Sequence, residues 1–254
     1  MSETTESRAS PRVVVITGAA SGIGKATALE FKAENARLVL LDRDVAVERL
    51  AQEIDARAIV LDLASEQDIK VACAQILSEF GRVDVLVNNA GIHPRHDGGK
   101  APLHLTSTTE WQNVLAINLT APFLMYRELF EGLKRSGSAR IINVSSRAGR
   151  TISPTAAGHY SASKAGITGL TRVMAQEGAP YGMTANAVAP GPVVTGLTVN
   201  SSGDVRAELA RSVPAGRYGA PEELAAAILF LASPKATYVT GATLDVNGGS
   251  FMAS

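Results

Sequence analysis

The sequence predicts an α/β fold, a doubly wound parallel β-sheet in three α/β/α layers within a single domain. Three observations lead there. Short continuous apolar runs alternate with helix-like segments along the whole chain, as in parallel sheets covered by helices on both faces. A glycine-rich turn, Thr17 to Gly24, directly follows the first run and precedes a helical stretch. That strand–turn–helix context suits phosphate binding. The length of 254 residues, with no obvious linker or internal repeat, fits one α/β unit. Residues 1–10 are polar and read as a frayed tail, leaving 11–254 as the domain.

The strands follow in order. Val13-Val14-Val15-Ile16 is β-branched and uninterrupted, as a strand buried on both faces requires. Arg37–Leu41, Ala58–Leu61, Val83–Val87, Arg140–Val144, Thr184–Val188 and Thr243–Val246 repeat the pattern. Helices fit between them, the first over Lys25–Lys32. Ser65-Glu66-Gln67-Asp68 and Ser107-Thr108-Thr109-Glu110 have the form of capping boxes. Pro221-Glu222-Glu223 opens an apolar helix with proline and acids in the first turn, where a missing N–H and negative charge do least harm.

Composition excludes several classes. Apolar residues make up 46% and charged residues 19%, an ordinary soluble balance. With 24 basic and 24 acidic residues the net charge is zero, so no nucleic-acid partner or anionic membrane is expected. No run has the apolar length of a membrane span, and the first residues lack the apolar core of a secretory signal. A cytoplasmic protein is the expectation. Cys73 has no intrachain partner and sits in a helical segment, as a small buried hydrophobe. No metal site is expected.

The glycine-rich turn reads Gly-x-x-x-Gly-x-Gly at Gly18, Gly22 and Gly24. Its glycines let the backbone approach a pyrophosphate, and the helix that follows presents free N–H groups to the same anion, with Ser21, Gly22 and Ile23 as candidate contacts. Asp42 closes the second strand, eighteen residues after Gly24. A carboxylate there accepts hydrogen bonds from ribose hydroxyls and repels a 2′-phosphate, which favours NAD over NADP. Arg43 beside it weighs the other way, because a guanidinium grips phosphate. Asp62, after the third strand and next to Leu63, is a candidate adenine contact. Asn88-Asn89-Ala90-Gly91 follows the fourth strand, at the carboxyl end where such sheets bind ligands. Asn118 stands within an apolar helical stretch, a poor place for Asn unless its amide finds partners.

The stretch from Ser145 to Lys164 carries the chemistry. Tyr160 and Lys164 lie four apart, on one helix face. A cation beside the phenol favours phenolate and is expected to pull its pKa down from about 10. Ser146 supplies a neutral hydroxyl able to hold a carbonyl or alcohol oxygen, with Ser145 as the neighbouring alternative. A short motif of this kind arises by chance as well, so its weight comes from the nucleotide loop upstream.

Taken together, Thr17-Gly18-x-x-x-Gly22-x-Gly24, Asp62, Asn88-Asn89-Ala90-Gly91, Asn118, Ser146, Tyr160-x-x-x-Lys164 and Pro190-Gly191 resemble the short-chain dehydrogenase/reductase family in order and context, over roughly residues 11–250. The resemblance implies a Rossmann fold and Tyr160 as acid/base. It implies that Lys164 lowers the Tyr160 pKa and holds the nicotinamide ribose, that Ser146 orients the substrate oxygen, and that Asn118 holds a water linking Lys164 to solvent. Pro190, Gly191, the Val193 backbone and the Thr195 hydroxyl are implied at the nicotinamide carboxamide. A homotetramer is implied, with helices near 108–134 and 158–178 at one interface.

The leading function is NAD-linked oxidation of a secondary alcohol such as a sugar, polyol or hydroxy acid. A 3-oxoacyl thioester reductase is the alternative; biosynthetic reduction usually draws on NADPH, so Asp42 counts against it. A non-catalytic dinucleotide sensor is disfavoured by the intact Asn118, Ser146, Tyr160, Lys164 set. Substrate choice is expected in 92–100, 147–159 and 195–219. His93, Arg95, His96, Lys100, Arg147, Arg150 and His159 in the first two form either an anion site or a set of solvated loop charges.

Overall fold

The computed structural model describes residues 10–96, 99–195, 210–211 and 213–253; the expected tail, apart from Ser10, lies outside them. The strands are β1 (Val13–Thr17), β2 (Arg37–Asp42), β3 (Arg57–Val60), β4 (Val85–Asn88), β5 (Arg140–Val144), β6 (Thr184–Pro190) and β7 (Thr243–Val246). Between them run α1 (Gly22–Ala33), α2 (Ala46–Glu53), α3 (Glu66–Phe80), α4 (Thr108–Leu115), α5 (Ala121–Ser136), α6 (Gly158–Gly178) and α7 (Pro221–Ala232). The strands form one parallel sheet in the order β3-β2-β1-β4-β5-β6-β7. The chain winds outward from β1 to β3, then crosses back to β4. A crevice therefore opens between β1 and β4, at the carboxyl ends of the strands.

Strand periodicity builds the two sides of the core. Val39, Val15, Leu86, Ile141 and Ala185 are laterally paired across five strands. They join one apolar cluster with Ile69 and Ile76 of α3, Leu129 of α5 and Met174 of α6. Their sequence neighbours Leu38, Val14, Val85 and Ile142, and Val188 three positions beyond Ala185, enter the opposite cluster, with Phe31 of α1, Leu50 of α2 and Ile228 of α7. A one-residue slip would exchange the two sets, so burial on both faces fixes the register. Cys73 is buried in the first cluster, and burial pushes its thiol up to about 12.

Two local expectations change. The fourth strand starts at Val85 rather than Val83. Asp84 instead ties the lower edge together, accepting from the Val13 N–H, the Arg82 guanidinium and the Ser136 hydroxyl. Both capping boxes form only in part. Ser65 accepts from the Asp68 N–H and Ser107 from the Glu110 N–H, but the acids do not complete the box as expected. The Asp68 carboxylate accepts from the Ser65 hydroxyl and the Asp62 N–H. That of Glu110 turns to two histidines.

Ile141 is fully buried on a central strand. Ile141→Ala is expected to cost about 2–5 kcal/mol of folding stability in urea titrations. Val60→Thr, on the partly exposed edge strand β3, is expected to change it by less than about 0.5 kcal/mol.

Candidate active site

The glycine-rich turn is held from below. The N–H groups of Gly18 and Ala19 both donate to the Leu41 carbonyl, and the Ala20 N–H donates to Asp42 Oδ2 at 2.9 Å. Asp42 Oδ1 accepts from the Asp44 N–H. One carboxylate thus fixes the turn and the β2 exit while lining the cavity. Gly24 does not line it. Its role is packing, because a Cβ there would stand 2.1 Å from the Gly18 carbonyl oxygen. Ser21 caps α1 without a side-chain hydrogen bond, and the first turn carries no acid. The helix N-terminus is left to an outside anion.

Thr17, at the end of β1, joins this turn to the opposite wall. Its Oγ1 accepts from the N–H groups of Asn89 and Ala90 at 3.0 and 3.1 Å. The Asn89 amide donates to the carbonyls of Thr17 and Gly18. Asn89, Ala90 and Gly91 line the cavity. Asn88 does not. It is buried behind them, donating to Asn143, which in turn donates to Thr171 of α6. Gly91 has no room for a side chain that would not crowd Lys164 Nζ and Asn118 Oδ1, at 3.3 and 3.4 Å from a Cβ.

Asn118 lies in a π turn, Ala116–Thr120, between α4 and α5 rather than in regular α-helix. It is buried behind the cavity wall and clamps the chain after β4. Its Oδ1 accepts from the Ile92 N–H, and its Nδ2 donates to the Ile92 carbonyl and the Ser163 hydroxyl.

The two serines after β5 divide. Ser145 Oγ donates to the Lys164 carbonyl and is occupied in packing α6. Ser146 accepts from the Ala148 N–H, and its hydroxyl is near enough to Tyr160 to favour the phenolate. Lys164 is buried, and its Nζ donates to the Val144 carbonyl at 2.7 Å. Burial alone lowers its pKa to about 8. The Tyr160 pKa moves opposite to expectation. Burial raises it, against the influence of the Ser146 hydroxyl and the charge of Arg95. Lys164 is 5.8 Å from the phenol ring centroid and aimed at a strand carbonyl, so the expected pull on Tyr160 is absent in this geometry.

Ser146, Tyr160 and Lys164 share one cavity of about 420 Å³ with Gly18, Ser21, Gly22, Ile23, Asp42, Arg43, Asp62, Leu63, Pro190, Gly191, Val193 and Thr195. No cluster among the described residues could hold a metal ion.

The basic loop residues disperse. His159 is buried and paired with Glu110 at 2.7 Å; His96 pairs with the other Glu110 oxygen at 2.7 Å. Arg150 pairs with Asp245 on β7, Arg147 reaches the Ser250 carbonyl, and Lys100 the Ser153 carbonyl. His93 and Arg95 stay at the cavity. The His93 ring stacks on Tyr160, centroids 4.3 Å apart, and its Nε2 accepts from the Ala157 N–H. Burial and the Arg95 charge lower its pKa to about 4. The stack and the Glu110 bridge were not readable from spacing. The third loop, 195–219, is outside the described residues at 196–209 and 212.

A family model described as enoyl-(acyl carrier protein) reductase matches residues 18–250. The chain belongs to the short-chain dehydrogenase/reductase family. This dehydrogenase/reductase is 39% identical to a 3-oxoacyl-[acyl-carrier-protein] reductase of Vibrio cholerae, over 95% of this chain and 98% of that one. It is 41% identical to the cis-4-hydroxycyclohexanecarboxylate dehydrogenase of Sinomonas cyclohexanicum, over 94% and 96%. A crystal structure of a 3-oxoacyl-[acyl-carrier protein] reductase of Brucella melitensis with bound NAD superimposes with TM-score 0.87 at 37% identity, covering 95% of this chain and 92% of that one. The family assignment makes the chain an oxidoreductase acting on alcohol or keto groups, with a nicotinamide dinucleotide as coenzyme. The uncapped α1 N-terminus, the close-packed glycines and the carboxylate at β2 fit such a dinucleotide.

The buried ammonium gives a pH test. Lys164 titrates near 8 when folded and near its usual 10.5 when unfolded. Across that window the unfolded chain holds more protons, so the Lys164 contribution to stability rises with pH. The stability of wild type relative to Lys164→Met is expected to climb from pH 8 to 10.5. A pH-independent difference in urea midpoints would contradict it.

Proposed function

We propose that the chain reduces the keto group of a 3-oxoacyl compound, and oxidises the matching 3-hydroxy compound in reverse. The named 3-oxoacyl-[acyl-carrier-protein] reductases support this better than the sugar, polyol or hydroxy-acid reading the sequence favours. The observation that carries the chemistry is the placement of Ser146, Tyr160 and Lys164 in one cavity whose other end is the glycine-rich turn. The coenzyme, when bound, supplies or accepts the hydride. Tyr160 gives a proton to the substrate oxygen in reduction and takes it back in oxidation. Ser146 donates to the same oxygen and holds it against the phenol. Lys164 would hold the nicotinamide ribose, and Val193, Thr195, Pro190 and Gly191 the carboxamide side. Gly18, Ser21, Gly22 and Ile23 would meet the pyrophosphate, with Gly24 setting their geometry. Asp62 and Leu63 would flank the adenine, with Asn89, Ala90 and Gly91 along the opposite wall. Both Asn118 amide hydrogens are engaged, so a relay water there would meet an acceptor rather than a donor.

Asp42 supports NAD as coenzyme. A Brucella melitensis 3-oxoacyl-[acyl-carrier protein] reductase has a crystal structure with bound NAD, which supports pairing NAD with the 3-oxoacyl reading. Oxidation of a hydroxy acid is the second reading, favoured by the 41% identity to a hydroxycyclohexanecarboxylate dehydrogenase. No helix among the described residues is long and apolar enough to cross a membrane; a cytoplasmic enzyme is proposed on the likeness to the 3-oxoacyl-[acyl-carrier-protein] reductases. Exposed Phe123 on α5 and Val173 on α6 support a homotetramer through those helices.

Tyr160→Phe is expected to lower kcat about 10²–10⁴-fold while leaving coenzyme affinity near wild type. The assay pairs coenzyme titration with turnover of acetoacetyl thioesters and simple hydroxy acids, using NADH or NAD and then NADPH or NADP. Unimpaired turnover by Tyr160→Phe would overturn the acid/base assignment. Preference for NADPH would overturn the Asp42 argument.

A further inference from the structure

We infer that Arg95 is the substrate-anchoring residue of this cavity and that the substrate carries an oxyanion, a carboxylate or a phosphate, which pairs with its guanidinium. The inference rests on reading the cavity as the site of carbonyl reduction and names a feature of the substrate that this reading leaves open.

The argument is one of elimination and placement. Six of the seven basic side chains of loops 92–100 and 147–159 have partners within the protein, described above. Of the two further basic residues lining the cavity, Lys164 donates to the Val144 carbonyl and Arg43 stands next to Asp42 at the β2 exit, across the crevice. Arg95 lines the cavity, and among the described residues it has no hydrogen-bond or ion-pair partner. It is solvent-exposed, yet the segment bearing it is anchored on both sides. Two residues earlier, His93 is stacked on Tyr160 and bonded by the Ala157 N–H. One residue later, His96 is tied through Glu110 to buried His159, the neighbour of Tyr160. The backbone at Arg95 is thereby fixed relative to the reacting phenol, and its charge is felt by both Tyr160 and His93. The only carboxylates among the described lining residues, Asp42 and Asp62, follow β2 and β3, on the other side of the crevice. A planar guanidinium with no internal acceptor beside a carbonyl-reducing group suits bidentate pairing with a substrate oxyanion. Glu110 is then a positioning residue, acting through His96.

The test compares three 3-oxo substrates: acetoacetate, which carries a carboxylate; acetoacetyl coenzyme A, which carries phosphates; and the neutral thioester acetoacetyl-N-acetylcysteamine. Arg95→Ala is expected to raise KM at least tenfold for one of the two anions, thereby identifying the oxyanion's source, and less than twofold for the neutral thioester. Arg95→Lys should recover part of the loss. Glu110→Gln should raise the same KM with little change in kcat, whereas general unfolding would lower kcat for all three. Calorimetry on the coenzyme-bound protein, using 3-hydroxybutyrate, 3-hydroxybutyryl coenzyme A and neutral methyl 3-hydroxybutyrate, gives a readout independent of turnover. Tighter binding of an anion by wild type, lost in Arg95→Ala, supports the site even if none of the substrates turns over, in which case the reductase reading alone fails. Equal binding of anions and neutral ester, or equal KM changes for all three substrates, overturns it.

Discussion

The site depends on how the two halves of the sheet are held together at their divide. β1 and β4 are neighbours in the sheet but far apart in sequence, and the chains leaving them go opposite ways. That divergence opens the crevice, and it would also leave backbone N–H groups without partners at its floor. Thr17 resolves the conflict. One hydroxyl accepts two N–H groups from the β4 exit, while the Asn89 amide returns two bonds to the β1 exit. Each bond contributes roughly 1 kcal/mol net, but their geometric effect is larger. They fix the spacing between a phosphate-binding turn and the wall that faces it.

Behind that wall a second constraint operates through burial. Lys164 is an ammonium taken out of water whose hydrogen-bond partner among the described residues is a single carbonyl, that of Val144. Its lowered pKa measures the cost of that desolvation. Such a group holds its place because its surroundings leave little alternative. Gly91 allows it close approach, Ser145 pins the Lys164 carbonyl, and the Asn118–Ser163 contact fixes the preceding turn of α6. Four positions that look independent in the sequence thus serve one side chain.

The sheet was legible in the sequence because its central strands are buried on both faces and so read as apolar runs; Arg140–Val144 matches residue for residue, as does the less buried edge strand Thr243–Val246. The nucleotide turn was legible for a similar reason, since glycines that admit no Cβ leave a fixed spacing. What failed to show were features set by partners distant in the chain. Glu110 looks like the second half of a capping box, but two histidines 14 and 49 residues away claim its carboxylate. Arg150 looks like a pocket cation until β7 places Asp245 beside it. The Tyr160–Lys164 spacing places both on one helix face but does not say where the ammonium points. It points at β5, and desolvation decides the phenol's pKa.

That result bears on the direction of the chemistry. In the cavity as it stands, burial favours the neutral phenol, and two influences oppose it, the Ser146 hydroxyl and the Arg95 charge. An oxyanion paired with Arg95 would cancel much of the second, because the pair presents little net charge to Tyr160. The phenol would then hold its proton to higher pH when such a substrate is bound than when the cavity holds only water. A protonated Tyr160 is the form that delivers a proton to a carbonyl oxygen. The same contact that anchors an anionic substrate would therefore keep Tyr160 in its protonated form to higher pH, and an uncharged substrate would lack both effects.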